Sequence, residues 1–435
     1  MAGVLPYGIY DADNHFNEPY DVYERYIDPA FEDKAIRFVT DADGKRIQLY
    51  GGAPSTFTNT QVVYTDGQLE QMLGADPAAL RAETAATVRD DAVGEMPGLL
   101  LNRLNPLRGL DDDARAAVVA QFREQAESYH TRDRRLALMD EQGIDVAIMF
   151  PARARYEIEF GNDIVAMYAN IRAFNRWIYE EIGFAHKDRM YMPPYLALAD
   201  VDLAVEELDI VLEQGAPLIQ IRAGHAHGGT ADPLGGRSVA DPVFDPFWAR
   251  VNDAHGRVAV HLGPTSYQRA GALWSEDPEV TFGDFDAFQW AMYWGDRPAM
   301  ETTAGMILHN LFGRFPNLRV LLSEMGTVWL PYTLRKMDHA SLMGRKVKWS
   351  DDGRLDARPS EIFRRHFVVA PFPEENVRRV VDDVGIEPIV FGSDFPHGEG
   401  LAYPEQWASE QLAGFDADDV RRIMRDTLAH FLGDV

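Results

Sequence analysis

Short apolar runs alternate with amphipathic stretches along most of the chain. The apolar runs lie at residues 7–13, 144–151, 190–198, 217–222, 257–263, 318–324, 366–371 and 388–394. Runs that are apolar almost throughout are typical of parallel strands buried on both faces of a sheet. Between them, apolar residues recur at helical spacing, as in residues 162–182, 201–214, 374–384 and 417–432. Eight strands that alternate with helices predict an α/β fold, a (β/α)8 TIM barrel that forms one domain over residues 1–435.

Three stretches are longer than simple connections and follow the carboxyl ends of predicted strands. Residues 17–133 form an insertion of turn-rich sequence with helical patterns at 79–96 and 111–129. Residues 224–245 are rich in Gly and Asp, and residues 266–298 alternate acidic with aromatic side chains. Because barrel active sites form at the carboxyl ends of the strands, we expect these rim insertions to carry function. The aromatic stretch, 282–294, fits either a lid over the site or a subunit interface.

Composition narrows the class of protein. The chain of 435 residues is 46% hydrophobic and has no Cys, which allows a full core but excludes disulfides, thiolate metal sites and a Cys nucleophile. Its 42 Lys+Arg and 69 Asp+Glu give a net charge of −27, which disfavours nucleic acid and anionic membranes as partners. No signal-peptide pattern and no membrane-spanning apolar run is visible. We therefore expect a soluble, cytoplasmic protein.

Polar side chains stand at the ends of four predicted strands. The first strand ends with Asp13 and His15, which alternate along the strand and so share a face; the fifth ends in His261, the sixth in Glu324 and the eighth in Asp394. Singly, each residue fits a structural role such as an Asx turn or a helix cap. Together at one rim, two imidazoles and several carboxylates can bind a divalent ion such as Zn²⁺, Mn²⁺ or Fe²⁺.

The sequence around these residues resembles the amidohydrolase superfamily. Within it, the chain is similar to the amidohydrolase-related branch that contains aminocarboxymuconate-semialdehyde decarboxylase and γ-resorcylate decarboxylase. The similarity covers nearly the whole barrel, with DADNHFNEP at the first strand, LFGRFPNLRVLLSEMGTVWLPY at the sixth and FGSDFPHGEG at the eighth. The resemblance implies one divalent metal, with Zn²⁺ favoured over Mn²⁺ or Fe²⁺, bound by Asp13, His15, His261 and Asp394.

The sequence departs from the family pattern at two positions. Asp13 stands where relatives have His or Glu, which changes the charge and reach of that ligand. Glu324 stands where many relatives have a catalytic His, so a different group handles the proton. The fourth strand ends in Arg222, whereas binuclear relatives have a carboxylated Lys there; Arg cannot be carboxylated in that way, which favours a single metal.

Three residues are candidates for catalysis. We expect Asp394 to act as general base as well as ligand, with Glu324 as a second carboxylate nearby. Crowding of the two would raise the pKa of one, which leaves an acid and a base in one pocket. His397 either orients Asp394, donates to substrate, or caps the start of a helix.

Three further residues are candidates for binding substrate. Arg222 either binds a substrate carboxylate bidentately or forms an ion pair with a site carboxylate. His225 lies in a Gly-rich rim loop, where it either contacts substrate or has no chemical role. Trp294 ends the aromatic stretch and would contact a planar or apolar substrate if that stretch is a lid.

Three functional hypotheses follow. The first is a mononuclear metal-dependent hydrolase that acts on a C–N, C–O or activated C–C bond of a small organic substrate. The second is a metal-dependent, non-oxidative decarboxylase of an aromatic or muconate-type acid. The third is a metal-free binding protein on the same barrel. Since family members often assemble, we expect a homo-oligomer, a dimer or larger.

Overall fold

The computed structural model describes residues 5–40, 46–55, 96–151, 155–161, 163–226, 236–254, 256–263, 274, 287–293, 295–343, 349 and 354–433. Its strands are β1 (Ile9–His15), β2 (Arg37–Thr40), β3 (Arg46–Tyr50), β4 (Ala53–Pro54), β5 (Ile144–Phe150), β6 (Ala185–His186), β7 (Met190–Tyr191), β8 (Ile219–Arg222), β9 (Arg257–His261), β10 (Arg319–Ser323) and β11 (Phe367–Val369).

The α-helices are α1 (Val22–Tyr26), α2 (Asp112–Gln125), α3 (Arg132–Glu141), α4 (Tyr156–Glu159), α5 (Ile164–Trp177), α6 (Val201–Glu213), α7 (Asp245–Asp253), α8 (Ala287–Tyr293), α9 (Asp296–Leu308), α10 (Leu311–Arg314), α11 (Leu330–Ser341), α12 (Pro359–His366), α13 (Val377–Val384), α14 (Pro404–Gln411), α15 (Ala417–Arg421) and α16 (Thr427–Leu432). Shorter 3₁₀ turns lie at Pro29–Lys34, Ala126–Tyr129 and Pro242–Phe244, and π turns at Ile178–Ile182 and Arg422–Asp426. The helices predicted from the sequence are confirmed at α2, α5, α6, α13 and α15–α16, while residues 79–95 lie outside the described chain.

The strands that end near the candidate site form two sheets, which are parallel except at one edge. In one, β1, β5 and β7 pair in that order, and the short β6 pairs antiparallel to β7 at its edge. In the other the order is β8-β9-β10-β11, all parallel. The register places Ser323 opposite His261, and His261 opposite Arg222. The carboxyl ends of these three strands therefore meet at one edge, as the apolar runs predicted.

Isolated β-bridges and hydrogen bonds connect the two sheets at both of their edges. Tyr195, after β7, bridges to Gln220 of β8, and Ile389 bridges to Val369 of β11. On the other side of the 388–394 segment, the backbone N–H of Ala12 donates to the Phe391 carbonyl at 2.9 Å. The segment thus lies between β11 and β1, where the eighth strand was predicted, although its pairing is too sparse to make a regular strand.

Glycine at position 392 permits the close approach of the 388–394 segment to β1. A Cβ at Gly392 would lie 2.8 Å from the Cβ of Asp13 and 2.9 Å from that of Ala370. Carbon atoms this close repel strongly, so a larger residue would push the segment away from β1.

Side chains of the parallel strands divide between two apolar clusters. On β9 and β10, Val258, Val260, Val320 and Leu322 belong to the large cluster that also contains the helices. The intervening residues belong to a second cluster, with members from most of the strands: Tyr10, Ala12, Val146, Ile148, Ala259, Leu321, Ala370 and Val390. Strands with both faces buried explain why the runs are apolar almost throughout.

The segment between β1 and β5 also contains an element that the hydrophobic pattern does not indicate. Strands β2, β3 and β4 form a small antiparallel sheet, with Phe38 opposite Gln48. These strands are two to five residues long. Over so few residues, an alternation of apolar and polar side chains cannot be distinguished from turn-rich sequence.

Helix starts follow ordinary capping chemistry. The Asp163 carboxylate accepts from the N–H of Ala166 at the start of α5, and the Asp200 carboxylate accepts from Leu203 at the start of α6, both at 3.0 Å. Across the described ranges, no helix is both long and apolar enough to cross a lipid bilayer.

Candidate metal centre

Carboxylates and imidazoles from four segments meet at the carboxyl edge of the sheets. Strand β1 supplies Asp13 and His15, β9 ends with His261, Glu324 follows β10, and Asp394 ends the 388–394 segment. Asp13, His15, His261 and Asp394 are at most 5% exposed. These are the strand-end residues that the sequence singled out, and the fold brings them together.

The spacing of the donor atoms is that of ligands around one ion. His15 Nε2 lies 3.1 Å from Asp394 Oδ1 and 3.8 Å from Asp13 Oδ1. His261 Nε2 lies 3.6 Å from Asp13 Oδ1. Ligand atoms bound at about 2.1 Å to one ion stand roughly 3.0–3.4 Å apart. The observed distances need only small adjustments to reach that spacing.

Unsatisfied polar atoms give a second test of the metal site. Buried atoms without a hydrogen-bond partner among the described residues include Asp13 Oδ1, the Nε2 atoms of His15 and His261, and both carboxylate oxygens of Asp394. Two of these atoms lie near a complementary group, Asp394 Oδ1 at 2.8 Å from His397 Nδ1 and His261 Nε2 at 3.1 Å from Glu324 Oε2, so the cluster is only partly satisfied. A divalent cation would satisfy the remaining atoms; two groups of donors lie close enough together to hold one, Asp13, His15 and His261, and His15, Glu324, Asp394 and His397.

The tautomer of His261 also fits a metal ligand. Its Nδ1 lies 2.7 Å from the Leu262 carbonyl oxygen, which can only accept, so Nδ1 carries the proton. This contact fixes the ring and leaves Nε2 facing Asp13 and Glu324. Metal-binding histidines are commonly oriented in this way.

Glu324 contacts both imidazoles of the cluster. Its Oε2 lies 3.1 Å from His261 Nε2 and 3.5 Å from His15 Nε2. Glu324 and Asp394 also share an unusual backbone, with φ of 57° and 54°. The left-handed conformation costs a non-glycine residue about 1–2 kcal/mol, and such strain concentrates at functional sites.

The close packing of charges shifts the pKa values in opposite directions. Burial raises the pKa of Asp394 to about 6 and also raises that of Asp13. Burial opposes ionisation of Glu324, but His261 and His15 outweigh it and keep the pKa of this carboxyl below its usual range. The pKa values of Asp394 and Glu324 therefore differ, mainly because of burial at Asp394 and because of the imidazoles beside Glu324.

The pKa values of the imidazoles also shift in opposite directions. Burial, together with the charge of His397, lowers the pKa of His15 to about 4. Burial also opposes protonation of His261, but Glu324 and Asp13 outweigh it and raise the pKa of His261 to about 10. For His397, Asp394 overcomes burial and raises the pKa well above its ordinary value.

His397 lies directly against Asp394. Its Nδ1 is 2.8 Å from Asp394 Oδ1, and its ring lies over that of His15 with centroids 3.8 Å apart. The sequence leaves three roles open for His397: orienting Asp394, donating to substrate, or capping a helix. This contact fits the first of them.

A buried polar network lies behind the ligands, and the sequence did not reveal it. Asp11 accepts four hydrogen bonds, from the N–H of Asp13 and of Ser393, the Ser393 hydroxyl and the Asn14 amide. The fully buried Arg135 of α3 donates to the Asn14 side chain and, at 2.9 Å, to the Ser128 carbonyl. The network ties β1 to the 388–394 segment, and so ties three of the candidate ligands together.

Arg222 contacts a carboxylate that the sequence did not single out. Its Nε lies 3.6 Å from Glu157 Oε1, and both side chains are largely buried. The Tyr195 hydroxyl donates to the other oxygen of Glu157 at 2.5 Å. Arg222 also donates to the carbonyl of His225 at 3.3 Å, so these two candidates are neighbours. Trp294 lies outside the described residues.

Parallel strands with metal-capable side chains at their carboxyl ends are the arrangement of a metal-dependent enzyme. The sequence matches the amidohydrolase family over residues 10–433, so the chain belongs to that family. This confirms the family predicted from the strand-end motifs. The chain is therefore an enzyme, a hydrolase or a carboxy-lyase.

Individual relatives include carboxy-lyases. An amidohydrolase structure from Mycobacterium avium subsp. paratuberculosis K-10 is 29% identical, with a TM-score of 0.78 over 99% of this chain and 100% of that one. The gamma-resorcylate decarboxylase of Polaromonas sp. (strain JS666 / ATCC BAA-500) is 22% identical over 289 residues, 63% of this chain and 80% of its own length. A dihydroxybenzoic acid decarboxylase structure from Polaromonas sp. JS666, with bound manganese and the inhibitor 2-nitroresorcinol, is 18% identical, with a TM-score of 0.53 over 74% and 90% of the two chains.

Proposed function

We propose that the protein is a mononuclear metal-dependent decarboxylase, which removes CO₂ from an aromatic carboxylic acid without a redox cofactor. The observation that carries the proposal is the buried cluster of Asp13, His15, His261 and Asp394 with its unsatisfied donor atoms. Similarity to decarboxylases of dihydroxybenzoic acids favours this reaction over hydrolysis, which the sequence analysis put first.

The proposal includes a closed (β/α)8 barrel with its insertions at the carboxyl rim. The bridges at Tyr195–Gln220 and Val369–Ile389 support closure, as do the hydrogen bonds between β1 and the 388–394 segment. The second apolar cluster also supports it, because inward-facing residues of a closed barrel pack into one interior cluster. A single domain, with the segment 17–133 inserted after the first strand, remains part of this proposal.

Two nitrogen and two carboxylate ligands suit Zn²⁺ or Mn²⁺. Zn²⁺ is the metal expected from the sequence, whereas the bound manganese of the related Polaromonas enzyme favours Mn²⁺. When bound, a divalent ion supplies a Lewis acid that neutralises the negative charge of a substrate carboxylate or phenolate. The charge of the cluster, with Asp13, Glu324 and Asp394 within contact of two imidazoles, would otherwise repel such a substrate.

The protein side chains handle the proton. In decarboxylation the C–C bond breaks, its electron pair stays on the ring carbon, and that carbon takes up one proton as CO₂ leaves. The Asp394–His397 pair holds a proton at neutral pH, because Asp394 raises the pKa of His397 well above its ordinary value. We assign this pair as the proton donor, to be reprotonated from solvent. Glu324 stays ionised and orients both imidazoles.

The substrate would lie on the side of Arg222 and His225. Arg222 is fixed by Glu157, and its guanidinium lies near the carboxyl end of β8, where it can bind a polar group of the substrate. Helix α8 belongs to the aromatic stretch; its Phe288 stacks on Trp274 and both are exposed, as expected of a surface used by a lid or a partner subunit. Trp294 as a substrate contact and a homo-oligomeric assembly remain predictions.

Hydrolysis is the second candidate, and one observation favours it. Asp394 has a second oxygen, Oδ2, that is also buried and without a hydrogen-bond partner among the described residues. A carboxylate with a free oxygen beside the metal ligands can take a proton from an attacking water. In this reaction Asp394 acts as the base predicted from the sequence.

Product analysis separates the two reactions. The purified enzyme is loaded with Mn²⁺ or Zn²⁺ and incubated in ¹⁸O-labelled water with hydroxybenzoates and with matched benzamides and esters. Release of CO₂ without ¹⁸O in the aromatic product supports decarboxylation. Incorporation of ¹⁸O into a new carboxylate without CO₂ would instead support hydrolysis and refute the leading proposal.

A further inference from the structure

A basic cavity of about 520 Å³ lies at the opposite end of the strands from the metal centre. Its basic residues are Arg319, Arg364, Arg365, His366, Arg422 and His430, and its acidic residues are Glu387 and Asp426. Arg319 begins β10, and Ser323 ends it beside Glu324. At about 3.3 Å per residue, these two ends of the strand are roughly 13 Å apart. The cavity is therefore separate from the candidate metal centre.

Part of the charge in this basic cavity is already paired. Arg365 forms an ion pair with Asp356 at 3.1 Å, and Asp426 forms one with Arg421 at 3.2 Å. In the chain as far as it is described, the other three arginines have no carboxylate within 4.0 Å. The basic cavity therefore has three unpaired guanidinium groups against one unpaired carboxylate, that of Glu387.

Backbone contacts fix two of the three unpaired arginines at the cavity wall. Arg319 donates to the carbonyls of Pro316 and Leu318 at 3.1 and 2.9 Å, and Arg364 donates to that of Val384 at 2.7 Å. Each contact uses only part of a guanidinium group that has five N–H donors. Arginines ordered in this way lose little conformational freedom when they bind a ligand.

The local excess of positive charge contrasts with the net charge of −27 for the whole chain. At physiological ionic strength, charges are screened over about 8 Å, so the residues lining the basic cavity dominate its potential. Planar guanidinium groups match the oxygen atoms of phosphates and carboxylates. We propose that the basic cavity binds a small anion with two or more negative charges, a phosphate or a polycarboxylate. This inference does not depend on the reaction proposed for the metal centre.

Calorimetric titration at constant ionic strength tests the proposal, with inorganic phosphate in one arm and tricarballylate in the other. Arg422→Gln removes one unpaired charge from the basic cavity, and Arg319→Lys keeps the charge but removes the planar donor group. Arg134→Gln is the matched control, because Arg134 lies on α3 outside the basic cavity, exposed and paired with Glu127 at 3.3 Å. Circular dichroism and metal content verify that each variant is folded and loaded.

We expect saturable binding of at least one anion to the wild type and to Arg134→Gln. Arg422→Gln should weaken it about tenfold or more, the usual effect of losing a hydrogen bond to a charged group, and Arg319→Lys should weaken it less. Binding of phosphate alone identifies a phosphoryl ligand, and binding of tricarballylate alone identifies a polycarboxylate. The proposal is overturned if neither anion binds saturably, or if Arg422→Gln binds as tightly as Arg134→Gln. If Arg319→Lys does not fold, anion binding by Arg422→Gln alone decides whether the proposal holds.

Discussion

Ser393 joins the two segments that carry most of the proposed metal ligands, so its removal should weaken both the fold and the proposed metal centre. Its hydroxyl donates to the Asp11 carboxylate at 2.5 Å and accepts from the N–H of Phe395 at 3.1 Å. A hydrogen bond contributes about 0.5–1.5 kcal/mol, and a buried N–H without a partner costs about 1–3 kcal/mol. For Ser393→Ala we therefore expect a loss of about 3 kcal/mol in the free energy of unfolding.

Ser323 provides a matched control for this prediction. It is also fully buried at a strand end, but its hydroxyl makes one hydrogen bond, to the Ala12 carbonyl at 2.9 Å. Ser323→Ala should therefore cost about 1 kcal/mol. Because Ser393 ties Asp11 of β1 to the segment that ends in Asp394, its loss should lower metal affinity about 10- to 100-fold, as changes behind metal ligands do.

Two measurements check this prediction about Ser393. Urea unfolding of both variants gives the stability difference, and competition with a chromophoric chelator gives the metal affinities. Equal destabilisation by the two substitutions would refute the reasoning, and so would an unchanged metal affinity in Ser393→Ala. Either result would mean that the network does not position the ligands.

Three further predictions concern the same region. Asp394→Asn should remove most turnover in a CO₂-release assay while leaving the circular dichroism spectrum intact; the exposed Asp382→Asn is the control, and unchanged turnover would refute a catalytic role. Burial raises the pKa of Asp11 to about 7, so its contribution to stability is full below about pH 3.8 and is lost as the pH rises through 7. Asp11→Asn should flatten urea-derived stability across that window, whereas an unaltered slope would contradict the shift. Removal of metal with a chelator should lower the melting temperature, since metal at 100 times its Kd stabilises the fold by about 2.7 kcal/mol; a response that persists in His261→Ala would place the metal elsewhere.

The sequence predicted the parallel strands well because burial on both faces leaves a strong local signal. Strands β5, β9 and β10 are apolar almost throughout, and each was found within two residues of its predicted start. The 388–394 segment was located correctly, but only isolated bridges and hydrogen bonds pair it with its neighbours, and it ends at Asp394, which adopts a left-handed backbone. Strands β2–β4 were missed because they are short and lie in an insertion.

The candidate metal ligands can be recognised from the sequence, whereas the buried network behind them cannot. The reason is physical. A ligand at a strand end is visible because a lone polar residue follows an apolar run, as His261 does. Arg135 gives no such signal, since it lies in a helix rich in charged residues and nothing local distinguishes it from exposed arginines. Its burial follows from contact with Asn14, 121 positions earlier in the chain. Only the fold creates that contact, so it could not be predicted, whereas the strand-end residues that the fold brings together could.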